Sequence, residues 1–413
     1  MHLPPRWSSD GRTVYYPVYG GLWTLAVDGS TQRKYDAGGI DRQMLYWLQP
    51  PDGNHPVMAD NQTIHVSVLD TESKNHGIAR LDLESGRLTL VHERSCAFSD
   101  TSMHMETIGD GSAAFLALET AENPPEIWKF SRSSGEFRRF YVPNDDLDQV
   151  DMGKARLIEW EDGNGKPGKA ALMLPPEYKD GETVPVVVLV YAGDDYSDYI
   201  HYFGFGGTYI DNAQLLTGRG YAVLCPDIPL IDDDYPMRQI PGRVVPAVNK
   251  LINMGIADPQ RIGVYGFSYG AYSVLSLLVQ TDIFRAGVSD APIANLTSSY
   301  AQGDWYWFEN YQGRMGGTPW EQRDAYIENS PFFFLDRVSA PLLLLSGTED
   351  RNATLQAEEV FSALRRLGSK VEWRSYQGKG HDTEGMTPAM IVDYCNAVLD
   401  WFDQHLTAVS TIR

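Results

Sequence analysis

Through roughly the first 150 residues, apolar side chains fall at every second position, the period of a strand that buries one face. Three stretches share both this pattern and the turn that closes it. They are Leu22-Trp23-Thr24-Leu25-Ala26-Val27 before Asp28-Gly29, Ile78-Ala79-Arg80-Leu81-Asp82-Leu83 before Ser85-Gly86, and Ile127-Trp128-Lys129-Phe130 before Ser134-Gly135. Each glycine is followed by a second alternating run, so each stretch predicts a hairpin. The glycines are 57 and 49 residues apart, a spacing suited to small antiparallel sheets repeated as propeller blades. Residues 7–16 would supply an earlier strand and turn of the first blade. Residues 1–152 are therefore expected to form an all-β, partial β-propeller-like domain; the alternative is a run of unrelated hairpins in another all-β module.

Beyond about residue 155 the period changes, and apolar runs alternate with segments of helical spacing, as in an α/β domain with a mostly parallel sheet. Residues 184–191 are apolar almost throughout and rich in valine, which suits a strand buried on both faces. Further strands are predicted at 221–225, 261–265, 286–289, 342–345 and 371–376, with helices at 213–216, 244–254, 271–280, 355–367 and 387–406. Pro, Asn and Asp accumulate at 143–152, which places the second domain at 153–413. Residues 153–178 connect the two or begin the second sheet.

Composition narrows the classes of partner. The 413 residues carry 34 Lys+Arg against 55 Asp+Glu, a net charge of −21, and no basic run exceeds two residues. Neither nucleic acid nor an anionic membrane finds a complementary surface in such a chain. Cys96, Cys225 and Cys395 lack CxxC or Cys/His spacing, so no disulfide framework and no zinc site is expected. The longest apolar stretches fall far short of the ~20 residues that a spanning helix needs. The first twelve residues, MHLPPRWSSDGR, lack the apolar segment of a secretory signal. A cytoplasmic protein is expected from the chain as written, and a secreted or periplasmic one if its amino terminus is truncated.

Gly266-Phe267-Ser268-Tyr269-Gly270 fits the nucleophile-elbow pattern G-x-S-x-G. The five letters alone are weak, but a predicted strand runs into them and a predicted helix leaves. A serine on such a turn occupies a strained backbone conformation that presents Oγ above the sheet, and side chains at the flanking glycines would collide with neighbouring backbone. The helix start and the Tyr269 N–H would face a developing oxyanion. An incidental serine in a Gly-rich turn is the alternative. A serine hydroxyl needs a base, and in this fold the order is serine, acid, histidine. Only His381 and His405 follow Ser268. His405 falls in the last helical segment beside Trp401 and Phe402, whereas His381 lies in the glycine-rich Gly378-Lys379-Gly380-His381-Asp382, where the backbone can aim an imidazole. His381 is the expected base. The acid is expected at Asp350, just past the strand at 342–345, with Asp290 and Glu349 as alternatives, because strand-end aspartates also cap helices.

The run 258–272 around the elbow, with Gly313-Arg314-Met315-Gly316-Gly317, Ser346-Gly347-Thr348-Glu349-Asp350 and Gly378-Lys379-Gly380-His381, resembles the catalytic domain of the prolyl oligopeptidase family of serine peptidases over about residues 155–407. The resemblance implies an α/β-hydrolase fold preceded by a β-propeller. It implies hydrolysis of short peptides through an acyl-enzyme, with Ser268 as nucleophile, His381 as proton shuttle and Asp350 holding His381, without metal or cofactor. It also implies the Tyr191 hydroxyl and the Tyr269 N–H as oxyanion donors. Restricted access past the propeller would exclude folded proteins. Two departures stand out: Gly193-Asp194-Asp195 where relatives usually continue with Gly-Pro, and Ala353 where relatives often have Val. Trp305, Trp307 and Asn352 are candidate pocket residues, with core packing the alternative for the aromatics.

Asp194 and Asp195, with Asp232-Asp233-Asp234, suggest a cleft that favours cationic groups such as a free peptide amino terminus, against the alternative of a solvated acidic surface. The rival functions are an esterase or other acyl hydrolase on the same scaffold, and a non-catalytic binding protein. At about 45 residues per blade, the first domain holds three or four blades. The edge left open would be closed by upstream blades in a longer chain or by another subunit of a homo-oligomer.

Overall fold

In the computed structural model, each of the three alternating stretches is the third strand of an antiparallel meander. The described residues are 5–8, 10–18, 21–36, 42–47, 58–60, 63–99, 106–107, 113–161, 165–206, 211–231 and 235–406. The third strands Gly21–Ala26, His76–Asp82 and Glu126–Ser131 pair with Gln32–Asp36, Leu88–Arg94 and Phe137–Tyr141. Gly29, Gly86 and Gly135 occupy the same place in the intervening turns at φ 74, 77 and 70°, a left-handed conformation that glycine adopts without steric cost. Strand alternation then sorts the side chains between sheets. Ala79 and Leu81 join Ile64, Val66 and Val68 of the second sheet and Tyr15, Leu22 and Tyr35 of the first in one core. Ile78, on the opposite face, packs with Phe98, Leu116 and Phe130 of the third sheet. Consecutive meanders stacked in this way are what suggests propeller blades.

The chain folds into two units, Met1–Val150 with Asp198–Phe205, and Asp151–Ser197 with Gly206–Arg413. Polar contacts explain why Asp198–Phe205 joins the first unit. Asp198 pairs with Lys74 at 2.5 Å, the Phe203 N–H donates to Glu119 at 2.9 Å, and Tyr202 sets its ring edge-on to the buried His76.

The second unit is built on an eight-stranded sheet in the order Lys154–Glu161, Pro167–Leu174, Ala222–Pro226, Val184–Leu189, Ala257–Phe267, Ala286–Asp290, Leu342–Gly347, Val371–Tyr376. The first three strands pair antiparallel and the rest parallel. The two leading strands occupy the stretch whose role was left open, between linker and second sheet. Helix Pro236–Asn253 begins well before the predicted 244; Pro241, Gly242 and Pro246, which resemble helix breakers in the sequence, lie within it. Pro236 sits at the helix start, where a missing N–H is harmless. The Met237 carbonyl that Pro241 leaves without a helical donor is met by the Gln280 side-chain amide at 2.8 Å. Helix Tyr269–Leu278 is buried along its whole length, so the turn before it stands on a rigid support. No helix among the described residues is long and apolar enough to cross a membrane.

Candidate active site

Strand Ala257–Phe267 ends at Ser268, which has φ 56° and ψ −118°. A positive φ is rare for any residue with a Cβ and is tolerated only where the surroundings impose it. The surroundings here are backbone: a Cβ on Gly266 would lie 2.3 Å from the Gly270 carbonyl oxygen, and one on Gly270 would lie 2.3 Å from that of Val190. Both flanking positions thus require glycine for closeness of approach. The Ser268 N–H donates to the Asp290 carbonyl at 2.8 Å, tying the turn to the adjacent strand.

The structure brings Ser268, His381 and Asp350 together. Ser268 Oγ lies 2.9 Å from His381 Nε2, and His381 Nδ1 lies 2.5 Å from Asp350 Oδ2. The tautomer consistent with both contacts has Nδ1–H donating to the carboxylate and Nε2 accepting from the serine hydroxyl. Asp350 is at once the N-cap of helix Arg351–Leu367, its Oδ1 accepting from the Ala353 N–H at 3.1 Å. Capping and histidine contact use different oxygens of one carboxylate, so the two roles weighed against each other in the sequence coexist. The Asp350 hydrogen bond raises the His381 pKa above its ordinary 6.5 against the opposing effect of burial. Burial pushes Asp350 upward, yet the His381 and Ala353 hydrogen bonds outweigh it and hold the carboxyl below its ordinary 3.8.

Neither alternative acid makes the histidine contact. Asp290 is fully buried, and its carboxyl accepts from the Tyr265 hydroxyl at 3.1 Å and, through a short bond, from the Tyr394 hydroxyl. The Glu349 N–H is engaged by the Lys379 carbonyl at 2.9 Å. His405 stacks on Trp401 with ring centroids 4.3 Å apart, and neither of its ring nitrogens has a hydrogen-bond partner.

The Tyr191 hydroxyl accepts from Gln312 Nε2 at 3.4 Å. Burial raises its pKa, and the neighbouring Gln312 and Ser268 side chains partly oppose this, so the hydroxyl lies near that of Ser268. The Tyr269 ring meets Tyr191 edge-on at 6.2 Å, and its hydroxyl donates to the Gln312 carbonyl at 2.8 Å. Tyr269 N–H is at the first helical position, where a donor has no intrahelical acceptor. Gln312 thus ties both tyrosines, and no sequence signal marked it.

The pocket candidates divide. Trp307 is part-exposed, 6.2 Å from the Tyr269 ring and edge-on to Tyr311 at 4.9 Å, whereas Phe308 belongs to the core. The Trp305 side chain lies outside the described residues, as do Asp232, Asp233 and Asp234. Asn352 accepts from the Ser299 hydroxyl at 3.1 Å. Burial, with Asp195 adding repulsion, raises the Asp194 pKa, and Asp194 acts electrostatically on Tyr191. Lys379, which the sequence presented only as part of a flexible loop, is fully buried and donates to the His381 carbonyl at 3.0 Å.

Residues 243–409 match the model of the prolyl oligopeptidase family. The chain is 26% identical over 385 residues to the uncharacterized peptidase YuxL of Bacillus subtilis, covering 89% of this chain and 54% of that protein. It is 25% identical over 397 residues to dipeptidyl aminopeptidase BIII of Pseudoxanthomonas mexicana, covering 86% and 55%. The chain therefore spans about half the length of these curated relatives. Among solved structures, the isopeptidase AtxE2 of Asticcacaulis excentricus aligns with a TM-score of 0.74 at 20% identity, over 96% of this chain and 61% of that one. The acylaminoacyl peptidase of Pyrococcus horikoshii aligns with a TM-score of 0.72 at 20% identity, over 97% and 63%. Both share the fold, an α/β-hydrolase domain with an amino-terminal β domain. The elbow and the sheet agree with the match over residues 243–409, where this chain carries a domain of the prolyl oligopeptidase family.

Proposed function

We propose that the protein hydrolyses short peptides through an acyl-enzyme formed on Ser268. The observation that carries this reading is the continuous contact from Ser268 Oγ through His381 to Asp350. In the first step His381 Nε2 takes the hydroxyl proton as Oγ bonds to the peptide carbonyl carbon, and Asp350 stabilises the imidazolium that results. The oxyanion is met by the Tyr269 N–H and the Tyr191 hydroxyl, aimed before charge develops. His381 then gives its proton to the leaving amine as the C–N bond breaks, and a water repeats the sequence to release the acid and free Ser268. Trp307 and Asn352 are proposed pocket residues, and Asp194 a contact for a cationic substrate group.

A fluorophosphonate probe should label the wild type and leave Ser268→Ala unlabelled, while mass spectrometry of a digested peptide library reports which bonds are cut. A well-folded wild type that takes no label would overturn the reading. His381→Ala should abolish turnover and His405→Ala leave it within about twofold, since only the former touches the nucleophile. Equal rates on free and N-acylated versions of one peptide, in wild type and in Asp194→Asn alike, would remove the role given to Asp194.

A further inference from the structure

A lysine is rarely wholly buried, and then only with partners; Lys379 is wholly buried. Its ammonium donates to two carbonyls of its own loop, His381 at 3.0 Å and Gly380 at 3.3 Å, and lies over the Tyr394 ring at 5.3 Å and the Phe267 ring at 6.0 Å. The Lys379 main chain faces the other way. Its carbonyl accepts from the Glu349 N–H at 2.9 Å, beside the acid, and a Cβ on Gly347 would lie 2.2 Å from that same oxygen. One residue therefore touches the loop that carries His381 and the loop that carries Asp350.

The nucleophile is reached through Asp290. Its carbonyl accepts from the Ser268 N–H at 2.8 Å, and its buried carboxyl takes the hydroxyls of Tyr265 and Tyr394. Tyr394 links the two halves, its hydroxyl on Asp290 and its ring face beneath the Lys379 ammonium. Burying two ionisable side chains works against stability unless their partners are well placed, and an apolar pair of similar volume would often serve stability as well. Main-chain carbonyls of a catalytic loop, however, need a donor from below, which an apolar pair would not provide.

We propose that Lys379 and Asp290 are positioning residues, a buried pair joined through Tyr394 that holds the turn of Ser268, the loop of Asp350 and the loop of His381 in one register. The assignment rests on the acyl-transfer reading of the site. It acts through His381, which is faced by Asp350 from the acid loop, by Asp290 from the neighbouring strand, and by Lys379 and Glu384 from its own loop. Asp350 and Asp290 favour its protonated form and Lys379 disfavours it, so the two members of the pair bias the imidazole in opposite senses.

The test uses the full chain and two readouts: the rate at which a fluorophosphonate reacts with Ser268, and the titration of His381 followed by NMR in 15N-histidine-labelled protein. Lys379→Met and Asp290→Asn should each slow phosphonylation by about tenfold or more, the scale of a small misplacement of reacting groups. The His381 midpoint should rise in Lys379→Met and fall in Asp290→Asn, a divergence that a purely structural filler would not produce. Lys379→Met/Asp290→Asn, which leaves no lone charge buried, guards against loss of folding in the single variants and should be slowed by less than the product of the two single effects. Phosphonylation within about twofold of wild type in folded variants, or midpoints that move in the same direction, would overturn the proposal. A wild type that reacts with the phosphonate yet cleaves no peptide would overturn the peptide assignment alone.

Discussion

Two neighbouring strands of the same sheet deliver an aspartate to the same end of the molecule, and the two carboxyls do opposite things. Asp290 closes strand Ala286–Asp290, is wholly buried and bonds to tyrosine hydroxyls. Asp350 stands three residues past strand Leu342–Gly347 with a side chain 11% exposed, and bonds to an imidazole and a backbone N–H. Burial dominates at Asp290 and raises its pKa, although Lys379 opposes it. At Asp350 burial is the largest single influence too, but the hydrogen bonds together exceed it. Burial alone does not decide what a carboxylate becomes; its donors do.

The largest expected difference between them is in turnover. Asp350→Asn should lower kcat by about 10⁴, because the amide cannot hold His381 in the reactive tautomer, while Asn remains a good helix cap and the fold should survive. Steady-state kinetics with circular dichroism as control would check this. A comparable kcat loss in Asp290→Asn, rather than a smaller one, would erase the distinction. Next is the pH profile. His381 must be neutral to accept the serine proton, and its pKa is raised above 6.5, so kcat/KM should climb with pH through a midpoint above that value. Asp350→Asn removes the charge that favours imidazolium, so the midpoint of its residual activity should move to lower pH.

Stability against pH should then separate the two carboxyls by sign. Asp350 has a folded pKa below the ordinary 3.8, so its contribution is present above that value and is lost as pH falls through the folded value. Asp290 has a raised one, so its contribution is full below 3.8 and is lost as pH rises through the folded value. In urea denaturation from about pH 3 to pH 6, Asp350→Asn should therefore lose more stability at the upper end, and Asp290→Asn less at the upper end than at the lower. Profiles tilting the same way would contradict the contrast. The smallest effect belongs to Tyr394→Phe, which removes one hydroxyl donor from Asp290 and should lower the unfolding free energy by about 1–3 kcal/mol in the same denaturation assay.

Much of this was legible in the chain because it is local. Strand Val371–Tyr376 matched its predicted bounds, and the glycines at 29, 86 and 135 revealed equivalent turns, since apolar period and turn residues are short-range signals. Ser268, His381 and Asp350 could be singled out because few residues satisfy both a loop position and a chain order. What escaped depended on partners far away in sequence. The start of helix Pro236–Asn253 rests on Gln280, which supplies the donor that Pro241 lacks. The burial of Lys379 is invisible between two glycines, because only the folded sheet brings Tyr394, Phe267 and Asp290 around it. Asp350 looked like either a cap or a catalytic acid because a sequence letter does not distinguish its two oxygens.

The backbone at Ser268 also filters which side chains this turn can accept. At φ 56° an unbranched side chain is strained but tolerable, whereas a β-branched one is a steric outlier. Threonine offers the same hydroxyl and adds one methyl, yet the main chain would reject it before any proton moved. Cysteine keeps the unbranched shape and exchanges only the reacting atom. The strain at Ser268 therefore excludes threonine, while it admits unbranched side chains that can act as nucleophiles, serine, cysteine and aspartate among them.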